Sequence, residues 1–97
     1  MEGNIRNAGG MRMDREKKKQ IILEIVNDIT GSSFTQINEE DNLIENLKMD
    51  SINLVNLQVL LEDEFEIRFN PIEDNMTEVF ETVHNLVDYI EKKLKIK

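Results

Sequence analysis

Asp50-Ser51-Ile52 stands between a loop ending in Leu47-Lys48-Met49 and an amphipathic run from Asn53 to Phe65. This order places one hydroxyl at the mouth of a helix. Asp and Ser are favoured at helix N-termini because a side-chain oxygen satisfies an amide that has no intrahelical partner, so the dipeptide alone reads as a cap. A serine in the first turn is also exposed at the positive end of the helix dipole, where an attached phosphodiester is electrostatically favoured. The two readings differ in consequence: a cap holds the helix, whereas a modified serine is a handle for another enzyme.

The other residue types narrow the chemistry. The chain has no cysteine, hence no disulfide, thiolate nucleophile or cysteine-based metal site, and any thioester chemistry needs an imported thiol. His84 is the only histidine. With no Ser and Asp arranged beside it as a triad, it reads as a helix-surface or partly packed residue rather than a base. The polar run Asn38 to Asn42 lacks the glycine and terminal glutamate spacing of a calcium loop. Met76 and Tyr89 fall at helical positions and read as core, and Lys17-Lys18-Lys19 as a solvated helix start. No nucleophile, base and orienting group occur together, so the chain does not read as an enzyme.

Ninety-seven residues make one small domain. Charge is uneven along it. Residues 1 to 20 hold six basic side chains against three acids, whereas Gln36 to Glu91 holds fifteen acids against Lys48 and Arg68 alone. The acidic stretch repels nucleic acid and suits basic protein surfaces, with steering that weakens as salt rises. The longest apolar runs are three residues, Ile21-Ile22-Leu23 and Val59-Leu60-Leu61, too short for a membrane span or a signal-peptide core. A cytoplasmic monomer is the expectation.

Four helices must position the serine. Met1 to Met13 is polar, with Gly3, Gly9 and Gly10 and no apolar period, and reads as a flexible leader ahead of a domain over 14–97. Asp14 can cap a first helix carrying Ile22, Ile25, Val26 and Ile29, stopped by Gly31. The long loop that follows carries Phe34, Ile37, Leu43, Ile44 and Leu47, read as pins. A second helix from about Asp50 to Phe65 sets Leu54, Leu57, Leu61 and Phe65 toward the core. It also bears a second stripe, Ile52, Val55 and Val59, centred roughly 140° around the helix from the first. Asn70-Pro71 breaks the chain after an extended connector whose Ile67 and Phe69 plug the core. A short helix over 75–80 precedes a last one capped by Thr82, with Val83, Leu86, Val87, Ile90 and Leu94 inward. The predicted fold is an all-α four-helix bundle, three longer helices and one short, with a long first loop.

Taken together, Leu47-Lys48-Met49-Asp50-Ser51-Ile52, then Val55, Leu57, Leu61, Glu62 to Glu64, Phe65-Glu66-Ile67, and later Thr82-Val83 and Asp88-Tyr89-Ile90, resemble the Leu-Gly-x-Asp-Ser-Leu motif and helices of acyl carrier proteins. The resemblance covers about residues 15 to 95. It implies that Ser51 receives 4'-phosphopantetheine from coenzyme A through a Mg-dependent phosphopantetheinyl transferase, with Asp50 supporting, and that the terminal thiol carries acyl or aminoacyl groups as thioesters. The second stripe then becomes a docking patch, Ile52, Val55 and Val59 framed by Glu62 and Asp63, for loading and accepting enzymes with basic surfaces. An expandable apolar interior between the second and third helices would serve long acyl chains. Lys48 stands where the family usually has Gly, Ile52 where Leu is commonest, and Asn56 where an acid is frequent. These departures point toward a specialised pathway, such as nonribosomal peptide, polyketide or D-alanine transfer, over a housekeeping fatty-acid carrier. The competing class is a helical interaction domain in which Ser51 is only a cap and the second stripe binds a partner helix.

Overall fold

A computed structural model describes residues 14–96; the leader expected over 1–13 lies outside them. The helices are α1 (Arg15–Thr30), α2 (Ser51–Phe65), α3 (Met76–Val79) and α4 (Val83–Ile96). Among the described residues the one extended pairing is an isolated bridge, Asn42 to Thr82. The bundle predicted from the apolar periods is thus the fold observed.

Local chemistry sets the ends of each helix. Asp14 accepts a hydrogen bond from the Lys17 amide at 2.9 Å and caps α1. Gly31 ends it at φ 72°, donating its amide to the Asn27 carbonyl at 2.8 Å. A Cβ there would meet nothing within 4 Å, so the left-handed backbone, rather than crowding, calls for glycine. Thr82 accepts from the Asn85 amide at 3.1 Å, as expected of a cap. The next orphan amides of α4 go to the long loop: Val83 donates to the Asp41 carbonyl and His84 to that of Glu39, at 3.0 and 2.8 Å. Backbone bonds therefore tie the loop to the head of α4.

Apolar side chains fill the interval between these tethers. Leu57, Leu61 and Phe65 of α2 share one buried cluster with Ile22 and Val26 of α1 and Leu86 and Ile90 of α4. Leu54 is only partly buried. In the loop, Ile37, Leu43 and Leu47 are buried pins, and Phe34 is partly buried with its backbone held at both ends by the Asn27 side chain. Ile44 is not a pin: it is 56% exposed. Asn42 turns the chain there by accepting the amides of Ile44 and Glu45, which directs the Ile44 side chain outward. Met49, 2% exposed, is buried in its stead.

The connector is extended, as expected. Glu66 leaves α2 at φ 55°. Ile67 and Phe69 are buried, and Phe69 packs against the rings of Phe80 and Tyr89 at 5.5 and 4.8 Å between centroids. The Tyr89 hydroxyl donates to Asp74, which holds that carboxyl below its ordinary range.

Polar contacts also tie α1, the long loop and α4 together. Arg15 binds Glu39 through two nitrogens at 2.7 and 2.8 Å and also reaches Asp88 and Glu91. The guanidinium first, and His84 second, lower the Glu39 carboxyl to about 2. Lys18, read as solvated, is 8% exposed, with its ammonium 3.3 Å from Glu91. Its position on the α1 face toward α4 overrides the charge run.

Candidate functional site

Asp50, with φ −106° and ψ −177°, is the N-cap of α2. Its carboxylate accepts from the Asn53 amide at 2.8 Å, and the Asn53 side-chain oxygen accepts from the Asp50 amide at 3.1 Å. This reciprocal pair is a capping box with Asn in the place that Glu or Gln usually holds. Ser51 is consequently the first helical residue and not the cap. It is exposed, and its hydroxyl makes no hydrogen bond among the described residues. The turn beneath it is fixed by buried Leu47 and Met49 on one side and Leu57 on the other. A rigid base thus presents an uncommitted oxygen.

Beside that oxygen a groove of about 640 Å³ runs between α2 and α3. Ser51, Leu54, Val55 and Gln58 form one wall, Met76 and Phe80 the other, with Ile44 at the rim. The exposure of Ile44 is thereby explained, since it borders the groove instead of filling the core. The α3 wall is one turn capped by the Asn75 side chain on the Glu78 amide at 3.2 Å, with Val79 and Phe80 plugged into the core.

Next to the groove on α2, Ile52 and Val59 are 71% and 56% exposed, and Val55, at the groove's edge, is 61% exposed. Neither the loop nor α3 covers them. Asp63 is exposed at the far end of the helix. Glu62 differs: it is half-buried, and one carboxylate oxygen accepts from the Phe69 amide at 2.8 Å. It therefore holds the connector in place. Both acids border a second recess, of about 420 Å³, with Val59, Ile67 and Arg68.

His84 belongs to the Arg15 cluster, built on Glu39 of the long loop and Asp88 of α4. Its ring nitrogens lie 2.7 Å from Glu39 and 3.0 Å from Asp88, and no serine joins them. Among the described residues no group of three His, Asp or Glu side chains could hold a metal ion, and no helix is long and apolar enough to cross a membrane. Sequence reasoning missed Asn53 and Met49. The first carried a signal, since it lies three residues after Asp50, at the reciprocal position of a capping box.

A helical bundle that fixes one bare hydroxyl at the head of a helix, next to a groove, has the build of a carrier domain. The comparisons agree. A family model described as the phosphopantetheine attachment site matches residues 20–90. The acyl carrier protein of Thermotoga maritima is 36% identical over 80 residues, 82% of this chain and 95% of that one. That of Coprothermobacter proteolyticus is 33% identical over 85 residues, 88% of this chain and all of its own. A crystal structure of an acyl carrier protein from Thermotoga maritima superposes with a TM-score of 0.73 at 31% identity, covering 89% of this chain and 96% of that one. This chain belongs to the acyl carrier protein family. It is a carrier and not a catalyst, and its cofactor is covalently attached 4'-phosphopantetheine. The residues present fit such a group, because an exposed oxygen with no hydrogen bond to surrender is what a transferase needs as acceptor.

Proposed function

We propose that Ser51 is the attachment point and that the protein, with residues 14–97 as its carrier domain, delivers acyl or aminoacyl thioesters to partner enzymes as a cytoplasmic monomer. The arm supplies the thiol that the sequence lacks. The observation that carries this reading is the division of labour at the head of α2: Asp50 and Asn53 take the capping role, which leaves Ser51 exposed and uncommitted. Asp50 supports the site by fixing the turn.

Partner contact falls to Ile52, Val55 and Val59, with Asp63 the freely exposed acid and Glu62 contributing only the face not turned toward Phe69. Uncovered apolar side chains on one helix face, bordered by acid, suit enzymes with an apolar docking patch and basic side chains beside it. The groove between α2 and α3 suits the apolar part of a cargo. Lys48, Ile52 and Asn56 in place of the commoner Gly, Leu and acid favour a discrete carrier in a specialised pathway, of the nonribosomal peptide, polyketide or D-alanine type, over housekeeping fatty-acid synthesis.

Intact-protein mass spectrometry after incubation with coenzyme A, Mg²⁺ and a broad-specificity phosphopantetheinyl transferase tests the assignment. The wild type gains one phosphopantetheine and Ser51→Ala gains none. Modification of Ser51→Ala, or none of the wild type with several transferases, overturns it and leaves a helical interaction domain as the better account.

A further inference from the structure

Lys48 has φ 61°, a left-handed backbone that suits glycine and is costly for an L side chain. Its neighbours explain the turn. Leu47 and Met49 are each 2% exposed, and the Met49 amide donates to the Leu43 carbonyl at 3.1 Å, so the chain folds back on itself between Leu43 and Met49. They do not explain the side chain, because glycine would make the same reversal without strain. The lysine is exposed, and among the described residues its ammonium has no hydrogen bond, ion pair or ring contact. It is also the only cation between Gln36 and Ile67.

The surroundings of Ser51 give that cation a use. A diester on Ser51 would carry a negative charge into a region with Glu45 and Asp50 close in sequence and Glu78 and Glu81 on the groove. Lys48 is the cation nearest to Ser51 in sequence. The three-residue separation spans at most about 11 Å, and a four-carbon stem with free rotation readily crosses much of that. Resting on the reading of Ser51 as the attachment point, we infer that Lys48 is the counter-ion of the phosphodiester carried there. It is a positioning residue that anchors the root of the arm against an otherwise acidic surface.

The full chain, unloaded and loaded by transferase with coenzyme A and Mg²⁺, provides the test. Lysine is labelled with ¹³C at Cε, and Lys48→Arg identifies the Lys48 signal by its disappearance. A single negative charge about 6 to 7 Å away in a water-like medium raises the titration midpoint of the ammonium by about 0.3 to 0.5 pH unit, a twofold to threefold gain in proton affinity. Loading moves Lys48 by that amount at low salt and leaves Lys92 unmoved, and the shift shrinks in 0.5 M NaCl. The ³¹P resonance of the loaded protein moves in Lys48→Gln and returns toward wild type in Lys48→Arg, while Lys48→Gly melts no lower than wild type. A Lys48 midpoint identical in loaded and unloaded chains overturns the counter-ion, with the Ser51 assignment intact. Failure of the wild type to load removes the Ser51 assignment and the counter-ion with it.

Discussion

Replacing Asp50 with Ala tests whether the head of α2 is built as the geometry says. The change removes the oxygen that accepts the Asn53 amide at 2.8 Å and, with it, the reason for Asn53 to reach back to the Asp50 amide at 3.1 Å. Loss of a side-chain cap costs about 1 kcal/mol, and loss of a negative charge at the positive end of the helix adds about 0.3 to 1. The two overlap, so the expected total is about 1.5 kcal/mol, a fall of roughly 6 to 12 °C in Tm for a domain this small. Ser51→Ala removes no hydrogen bond seen in the structure and puts a good helix former at the first position, so it changes stability by less than about 0.5 kcal/mol. Urea unfolding followed by circular dichroism measures both. In a double-mutant cycle, Asp50→Ala and Asn53→Ala couple by roughly 0.5 to 1 kcal/mol, because each single change already breaks the shared box. If Ser51→Ala proves as destabilising as Asp50→Ala, or if the cycle is additive, the assignment of the cap is wrong and Ser51 is a structural residue after all.

Acid titration of stability tests the Arg15 cluster. Glu39 is held at about 2 in the folded chain by Arg15, below its ordinary value, so its contribution is fully present above about pH 4.5 and disappears as pH falls toward 2. Glu39→Gln should therefore lie about 1 kcal/mol below wild type at pH 7, a modest figure because the pair is partly solvated, and the gap should close through that window; a gap independent of pH refutes the assignment. The two acids at the end of α2 should separate in chemical denaturation: Glu62→Ala loses a charged acceptor for the Phe69 amide and costs roughly 1.5 to 3 kcal/mol, whereas Asp63→Ala stays within about 0.5. Equal effects would mean that the connector does not depend on Glu62. On the two faces of α2, Leu57→Ala should cost about 2 to 5 kcal/mol and Val55→Ala under 1 while weakening modification by the transferase; a large loss of stability at Val55 would place that residue in the core.

The helices and their ends were legible because each depends on residues within a turn of one another. Asp14, Gly31, Asn75 and Thr82 act locally, and the apolar period of α2 alone separates Leu57, Leu61 and Phe65 from Ile52, Val55 and Val59. The cap of α2 was ambiguous by one residue, since Asp and Ser both suit that role; what decides it is Asn53, whose side chain answers Asp50. Other features depend on contacts far along the chain. Glu62 bonds a backbone amide seven residues on, and Lys18 is buried by α4 and meets Glu91. No period marks inside from outside in the long loop, so Ile44 and Met49 could not be sorted until Asn42 was seen to turn the chain. Local signals gave both the position of the serine and, through the Asp50–Asn53 pair, its freedom.

The site makes two opposed demands on one small domain. On the proposed reading, a transferase and successive partners require Ser51 and its docking face in a fixed place, whereas a cargo lodged in the adjacent groove requires that groove to change width. The fold meets the first demand with α2, whose head is clamped by a capping box and whose inner face reaches Leu57, Leu61 and Phe65 in the core. It meets the second with α3, a helix of four residues, which is too short to be stable by its own hydrogen bonds. The width of the groove therefore depends on how Val79 and Phe80 seat in the core, on the Asn75 cap and on the Asn85 side chain, which donates to the Glu78 carbonyl at 3.0 Å, not on helix-to-helix packing along the full length of α2. Moving that wall leaves the Asp50–Asn53 box untouched, because none of its hydrogen bonds comes from α3. Rigidity at Ser51 and compliance at the groove can coexist because they are built from different elements.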